Sequence, residues 1–253
     1  MTRTVVHYGD EPTLTTRSGG ELDERTTPLM TASSKDHEVD AVVRRARVSS
    51  RRRQLLDAAV AVMERNGFHQ MSMQALADEA QVSVGLIYKY FDSKEEILLD
   101  AIVGILEAFS DQLAPAMEAA GEDPVDRIAA GFDRYVRIID ANRHAVALTY
   151  RESRTLPPEG RARIMELEVA TAAPLRAAVE SGIAAGVFAA VDVDLMVYDL
   201  VMLAHAWALK HWHFGRLYDL DTYIHKQLRF AFNTLIPVDG RGPYQHYFTP
   251  ELT

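Results

Sequence analysis

The chain is 253 residues long, with 48% hydrophobic and 25% charged residues, which is the composition of a globular protein with one or two domains and a sizeable core. The absence of cysteine excludes disulfides, thiolate nucleophiles, iron–sulfur clusters and cysteine-based zinc sites together, and fits a reducing cytoplasm. A formal charge of −9 argues on average against a nucleic-acid partner, yet Arg44, Arg45, Arg47, Arg51, Arg52 and Arg53 fall within one short stretch and create a local basic field.

Residues 1–43 show no sustained periodicity and are rich in Thr, Ser, Gly, Asp and Glu, which predicts a mobile tail, either without a role or acting as a DNA-contacting or regulatory arm. The first twenty residues lack the apolar core of a signal peptide, and no run of eighteen apolar residues follows, so a cytoplasmic protein with no membrane partner is expected. The arginines open the next segment, 44–95. Like charges at a helix start repel one another and oppose the helix dipole, so contact with DNA is one reading and a solvated helix start the other.

From Ser49 the helical signals become dense. Leu55, Leu56, Ala59, Val62 and Met63 recur at three and four residues and give one apolar face, and Asn66-Gly67 supplies a stop with Phe68 free to pack back. Ser72 can cap a second helix, Met73–Ala80, and Ser83 a third, Val84–Phe91, burying Leu86, Ile87, Tyr90 and Phe91. Two short helices on a tight turn at Gln81-Val82 make a helix-turn-helix. Ser93 and Glu96 have capping-box spacing for a fourth helix, with Lys94 facing out on its first turn.

This segment has the chemistry to read DNA. Gln74 can bond an adenine edge, Ser83 a base or phosphate, Tyr88 a phosphate, and Lys89 guanine or phosphate, while Gly85 lets the backbone approach the groove. Lys94, at the positive end of the fourth helix, suits a phosphate.

Beyond residue 100 the pattern stays helical, with breaks at Pro115 to Pro124, near Asn142, at Leu156-Pro157-Pro158, at Gly186 to Phe188 and at Gly215 to Asp219. That predicts an all-α fold of about nine helices, with a helical domain over 96–237 and a C-terminal extension over 238–253. Two long segments, roughly 194–213 and 220–236, are apolar on more than one face, which suits a second subunit.

Polar and aromatic groups concentrate at Tyr150, Arg151 and Glu152, and again at His205, Trp207, Lys210, His211 and Trp212. With Phe132 and Tyr135 they are candidates to line an apolar ligand cavity, or else ordinary core and interface aromatics. No histidine pair has the i, i+4 spacing of two metal ligands on one helix face, so neither a metal nor a cofactor is expected. No nucleophile elbow, Walker loop or His-Glu-x-x-His motif marks an enzyme.

The run SMQALADEAQVSVGLIYKYFDSKEEILLDAI resembles the DNA-binding signature of the TetR family, in which an alanine-rich helix leads to a recognition helix ending in Tyr-x-x-Phe and a Lys opens the next helix. The likeness spans about Ser49 to Ile102. It implies that Ser72, Met73 and Gln74 from one helix, and Ser83, Val84, Gly85, Tyr88 and Lys89 from the other, face operator DNA. Met73 departs from the pattern, since many members carry a hydroxyl there. More loosely, the helical domain resembles TetR-type regulators of lipid and acyl-CoA breakdown. The resemblance implies a repressor that binds a palindromic operator as a homodimer, its recognition helices ~34 Å apart, and is released by a small hydrophobic effector such as an acyl-CoA. An activator or global regulator, and a helical adaptor that binds only protein, are the alternatives.

Overall fold

The computed structural model describes residues 32–249, with side chains from residue 42 onward. Two units meet between Arg47 and Val48. Eleven α-helices and three short 3₁₀ turns make up the regular structure, and no strand occurs among the described residues. About nine helices were expected; the two additional ones, α9 (His211–Phe214) and α11 (Gln245–Phe248), have four residues each.

Helix α1 runs from Ala32 to Asn66, so residues 32–43 are helical rather than part of a tail. The reason it starts earlier than the sequence indicates is visible from Val42 to Arg51, where every residue is exposed. A helix that buries nothing has no apolar stripe, and the stripe was the signal being read. The remainder of the expected tail, residues 1–31, and residues 250–253 of the extension lie outside the described residues. The stop after Asn66 is as anticipated: Gly67 adopts φ +81°, a left-handed conformation that only glycine takes freely, and its N–H closes on the Met63 carbonyl at 2.8 Å.

Side-chain caps fix most of the later helix starts. The Ser72 hydroxyl accepts from Ala75 N (3.1 Å) to open α2 (Met73–Ala80), and Ser83 accepts from Leu86 N (3.2 Å) to open α3 (Val84–Ile87). Regular α-helix in α3 stops at Ile87, four residues short of the expected Phe91. The chain continues as tightened turns, with Tyr90 N bonded to the Ile87 carbonyl at 2.9 Å, and these still bring Phe91 into the core. Ser93 accepts from Glu96 N (3.1 Å) at the start of α4 (Lys94–Ala119). Glu96 answers by accepting from Asp92 N (2.7 Å), one residue before the reciprocal partner of a standard capping box.

Helix α4 also runs straight through Pro115, where a break was expected. Proline removes one backbone donor, but Pro115 is exposed, so water can satisfy the carbonyl that loses its partner. Asp123 caps α5 (Pro124–Ala141), with Pro124 at its first position, and α6 (Arg143–Glu152) follows the break at Asn142. Helix α7 (Pro158–Ala184) leads into α8 (Val193–Leu209), which ends one residue before the non-helical Lys210, and α10 (Leu220–Leu235) starts at the Asp219 cap.

The apolar face of α5 forms the centre of the larger bundle, packed by α4, α7, α8 and α10. Phe109 of α4 stacks on Tyr135 of α5 with ring centres 4.0 Å apart. At the end of α7 the Phe188 ring fills the space beside Gly182, where a β-carbon would sit 2.1 Å from it. Within the same second unit, a smaller module over residues 48–98 is formed where Leu55, Ala59, Val62 and Met63 of α1 share a core with Leu76, Ile87, Phe91, Ile97 and Leu98. Helix α4 therefore supplies core residues to both modules.

Candidate functional site

Two places concentrate functional chemistry. The first is the helix-turn-helix face. Ser72, Gln74, Ser83, Gly85, Tyr88 and Lys89 are all exposed, with Tyr88 at 55%. Each serine hydroxyl accepts a backbone N–H as a cap and keeps its own proton to donate outward. Gln74 donates to Asp78 at 2.8 Å, one turn along α2, which holds its amide at the surface. Met73 and Val84 differ from their neighbours in being half-buried and packed against the core. The turn itself uses Gln81 in the left-handed conformation, φ +54°, with its N–H bonded to the Asp78 carbonyl.

The basic residues divide. Arg44, Arg45, Arg47, Arg51 and Arg53 are exposed. Arg52, grouped with them on sequence, is instead engaged within the protein. Its guanidinium pairs with Asp100 and Glu96 of α4, donates to the Tyr90 carbonyl at 2.7 Å, and lies 4.4 Å from the centre of the Phe91 ring. Those bonds tie α1, the end of the recognition element and the first turns of α4 together. Lys94 is also largely committed: it donates to the carbonyls of His69 (3.2 Å) and Phe68 (3.4 Å) and sits over the Phe68 ring. One N–H of its ammonium is left for an external partner.

The second place is a small apolar cavity of about 30 Å³ in the larger bundle. Ile102, Ile105, Leu106 and Phe109 of α4 form one wall, Val146, Thr149 and Tyr150 of α6 another, and Glu168 of α7 and His205 of α8 complete it. His205 bridges two phenols, with Nε2 3.3 Å from the Tyr135 hydroxyl and Nδ1 2.5 Å from that of Tyr150. Burial lowers the His205 pKa to about 4, so the ring is neutral, and burial likewise pushes Tyr150 up to about 12 and Tyr135 higher still. Burial raises the Glu168 carboxyl above its ordinary value. Beside the cavity, sharing Thr149, Tyr150 and Glu168 with it, lies a groove of about 240 Å³ that adds Ser153, Arg161, Ile164 and Met165.

Of the expected ligand residues, the structure brings Tyr150 and His205 to the cavity and Tyr135 to its wall through His205. The others lie elsewhere. Phe132 is buried in the core, and the Trp207 indole donates to Asp140 at 2.8 Å while its ring packs on Tyr223. His211 accepts from Arg143 at 2.6 Å, and burial followed by the Arg143 charge lowers its pKa. Lys210 and Trp212 are exposed, Trp212 at 66%. Arg151 pairs with the buried Glu152 and reaches the Met63 carbonyl of α1 at 3.3 Å; alongside, His144 contacts Glu64 at 2.5 Å. Sequence reasoning missed Thr149, Glu168 and the α4 wall. Glu168 had a signal, as a carboxylate within an apolar stretch of α7, but aliphatic wall residues look like any other core.

Residues 55–101 match the family model for bacterial regulatory proteins of the tetR family, and residues 121–213 match a tetracyclin repressor-like C-terminal domain. The transcriptional regulator HbdR of Aromatoleum sp. (strain CIB) is 30% identical over 194 residues, 77% of this chain and 84% of that protein. The transcriptional repressor KstR of Mycobacterium tuberculosis is 36% identical over 81 residues, covering 31% of this chain and 35% of its own length. Among solved structures, AibR in complex with isovaleryl coenzyme A and operator DNA superposes with a TM-score of 0.62 at 19% identity, over 71% of this chain and 97% of that one, which shows a shared fold. The chain belongs to the TetR family of DNA-binding bacterial transcription regulators, proteins that are not enzymes.

Proposed function

We propose that this protein is a homodimeric repressor that binds a palindromic operator through Ser72, Gln74, Ser83, Gly85, Tyr88 and Lys89, and is released by a small acyl effector such as an acyl-coenzyme A. The observation that carries the reading is the double use of α4. Its residues 102–109 wall the cavity, while its first turns hold Arg52 and, through Lys94, the loop after α1. A space of about 30 Å³ takes one or two water-sized groups, so an acyl chain reaching into it from the adjoining groove presses on that wall. Movement of α4 then changes the spacing of the recognition elements across the dimer, and DNA affinity falls by population shift.

Exposed Leu195, Tyr198 and Met202 along α8 and Phe230 on α10 support a subunit interface on the two long C-terminal helices, because apolar groups of this size are seldom left to water without a partner. Arg44, Arg45, Arg47, Arg51 and Arg53 are proposed as further phosphate or minor-groove contacts on their charge and exposure. The acyl reading is supported by the ligand and DNA bound to AibR, a structural neighbour. Footprinting on the DNA flanking the gene, with and without a panel of acyl-coenzyme A thioesters, tests it. Protection of a palindrome that one or more thioesters abolish is the expected result. No footprint, or one unaffected by every thioester, would overturn the reading.

A further inference from the structure

A cleft of about 150 Å³ lies where α1 of the smaller module meets α4 and the start of α6, separate from the cavity beside His205. Its floor is apolar: Leu56 and Val60 come from α1, Ala101 and Ile105 from α4, and Ala145 from α6. Gly104 keeps it open, since a β-carbon there would meet no atom within 4 Å. In volume it matches the ~150 Å³ that holds a benzene ring inside an engineered protein core, whereas the cavity beside His205, at about 30 Å³, is too small for a ring. The rim is polar, and its acceptors are uncommitted. Both N–H groups that Arg52 directs at Asp100 end on Oδ2, the one from Nε at 2.7 Å, which leaves Oδ1. Asn142 donates its side-chain N–H to the Ile138 carbonyl at 2.8 Å, which fixes the amide and leaves its oxygen as an acceptor. Asp57 makes no ion pair among the described residues. Arg53 is the one cation among the lining residues; it is exposed, and its long side chain keeps the charge in water. The neighbouring Arg52 is already shared between Asp100 and Glu96. Two cations therefore face three carboxylates, a balance that favours a cationic guest.

We propose that this cleft is a second ligand site, for a primary ammonium carried on an apolar body about the size of one aromatic ring. An ammonium has three N–H donors and no acceptor, which matches Asp57, Asp100 Oδ1 and the Asn142 oxygen group for group, while the ring covers the floor. A neutral hydroxyl brings one donor to the same three acceptors. A carboxylate brings none and meets like charge. The three acceptors stand on α1, on α4 and at the turn into α6, so the guest joins the smaller module to the larger bundle across their junction. The site does not depend on the identity of the effector proposed for the other cavity.

The test is an NMR titration of the full-length protein, methyl-labelled at alanine, with benzylamine, benzyl alcohol and benzoate at pH 7. Benzylamine should give saturable shifts at the Ala101 and Ala145 methyls, which line the cleft and not the other cavity, with benzyl alcohol about ten-fold weaker and benzoate at least about a hundred-fold weaker. Gly104→Leu puts a side chain into the cleft and should weaken benzylamine at least about ten-fold, with circular dichroism confirming the helix content. Asp57→Asn should weaken benzylamine about ten-fold and leave benzyl alcohol within about two-fold, a change of selectivity that damage to the fold does not produce. Glu168→Gln, in the other cavity, should leave all three within about two-fold. The site is overturned by an absence of saturable shifts, by benzyl alcohol or benzoate binding within about three-fold of benzylamine, or by benzylamine binding that Gly104→Leu leaves unchanged. Weakening by Glu168→Gln in place of Asp57→Asn would move the cation to the other cavity and overturn it as well. None of these outcomes bears on the acyl-effector reading, which operator footprinting decides.

Discussion

Replacing Arg52 by alanine separates two roles that adjacent arginines share on paper. The side chain gives up ion pairs with Asp100 and Glu96, its bond to the Tyr90 carbonyl and its position over Phe91. The paired groups are between 26% and 35% exposed, so each ion pair is worth only about 0.5 kcal/mol. The charge-assisted bond to the carbonyl adds about 1.5 kcal/mol and the ring contact about 0.5 kcal/mol, for a loss of about 3 kcal/mol before relaxation. For a chain of this size that lowers Tm by roughly 6–12 °C. Arg53, exposed and making no such bonds, should change stability by less than about 0.5 kcal/mol when replaced by alanine. If Arg53 contacts phosphate, Arg53→Ala should instead flatten the dependence of log Kd on log salt by about 0.9. The assays are thermal unfolding at one fixed protein concentration and operator binding across a salt series. An Arg52→Ala protein with wild-type Tm and a salt slope reduced by one phosphate would refute the clamp and return Arg52 to the DNA contacts.

Two further outcomes are expected. His205 carries a pKa lowered by burial from 6.5 to about 4, so its neutral form is favoured in the folded state; the associated stability is present above pH 6.5 and is lost as pH falls towards 4. Unfolding measured over that window should show about 3 kcal/mol of acid destabilisation that His205→Gln lacks, and parallel curves for the two proteins would count against the burial. Leu195→Glu and Phe230→Glu place charges on the proposed subunit interface at sites 61% and 63% exposed in the single chain, so they should shift sedimentation from dimer to monomer without lowering helix content. A dimer that survives both changes would place the interface elsewhere.

What could be read from the sequence depended on which forces leave a local trace. Caps do: Ser72, Ser83, Ser93 and Asp123 all open helices where their spacing places them, because each satisfies a backbone donor within three residues. The exposed reading face was legible for the same reason, being a single turn of chain. Arg52 was not, since its partners lie 38 to 48 residues away and the charge cluster around it suggested a common fate. The cavity was legible only in part. Tyr150 stood out as a polar aromatic on an apolar helix, whereas Ile102, Ile105, Leu106 and Phe109 share the pattern of every buried stripe, and Glu168 becomes informative only when α7 brings it beside His205. The aromatic run at Trp207 to Trp212 drew attention by composition, yet Lys210 ends α8 within it and turns Trp212 to solvent.

The uninterrupted course of α4 has a mechanical consequence. Between Lys94 and Phe109 it contains no proline; Pro115 comes only after the cavity has been passed, so a bend there leaves the stretch joining cavity and DNA module straight. Ile105 is eleven residues from Lys94, roughly 16 Å along the axis. A tilt of about 5° pivoting at the cavity carries the Lys94 end about 1.4 Å sideways, and in the proposed homodimer two symmetric subunits swinging apart would change its reach by about 3 Å, close to the rise of one base pair. On the proposed function, a rotation of about 5° at the cavity is thereby geared to a misfit of one rung on the DNA ladder.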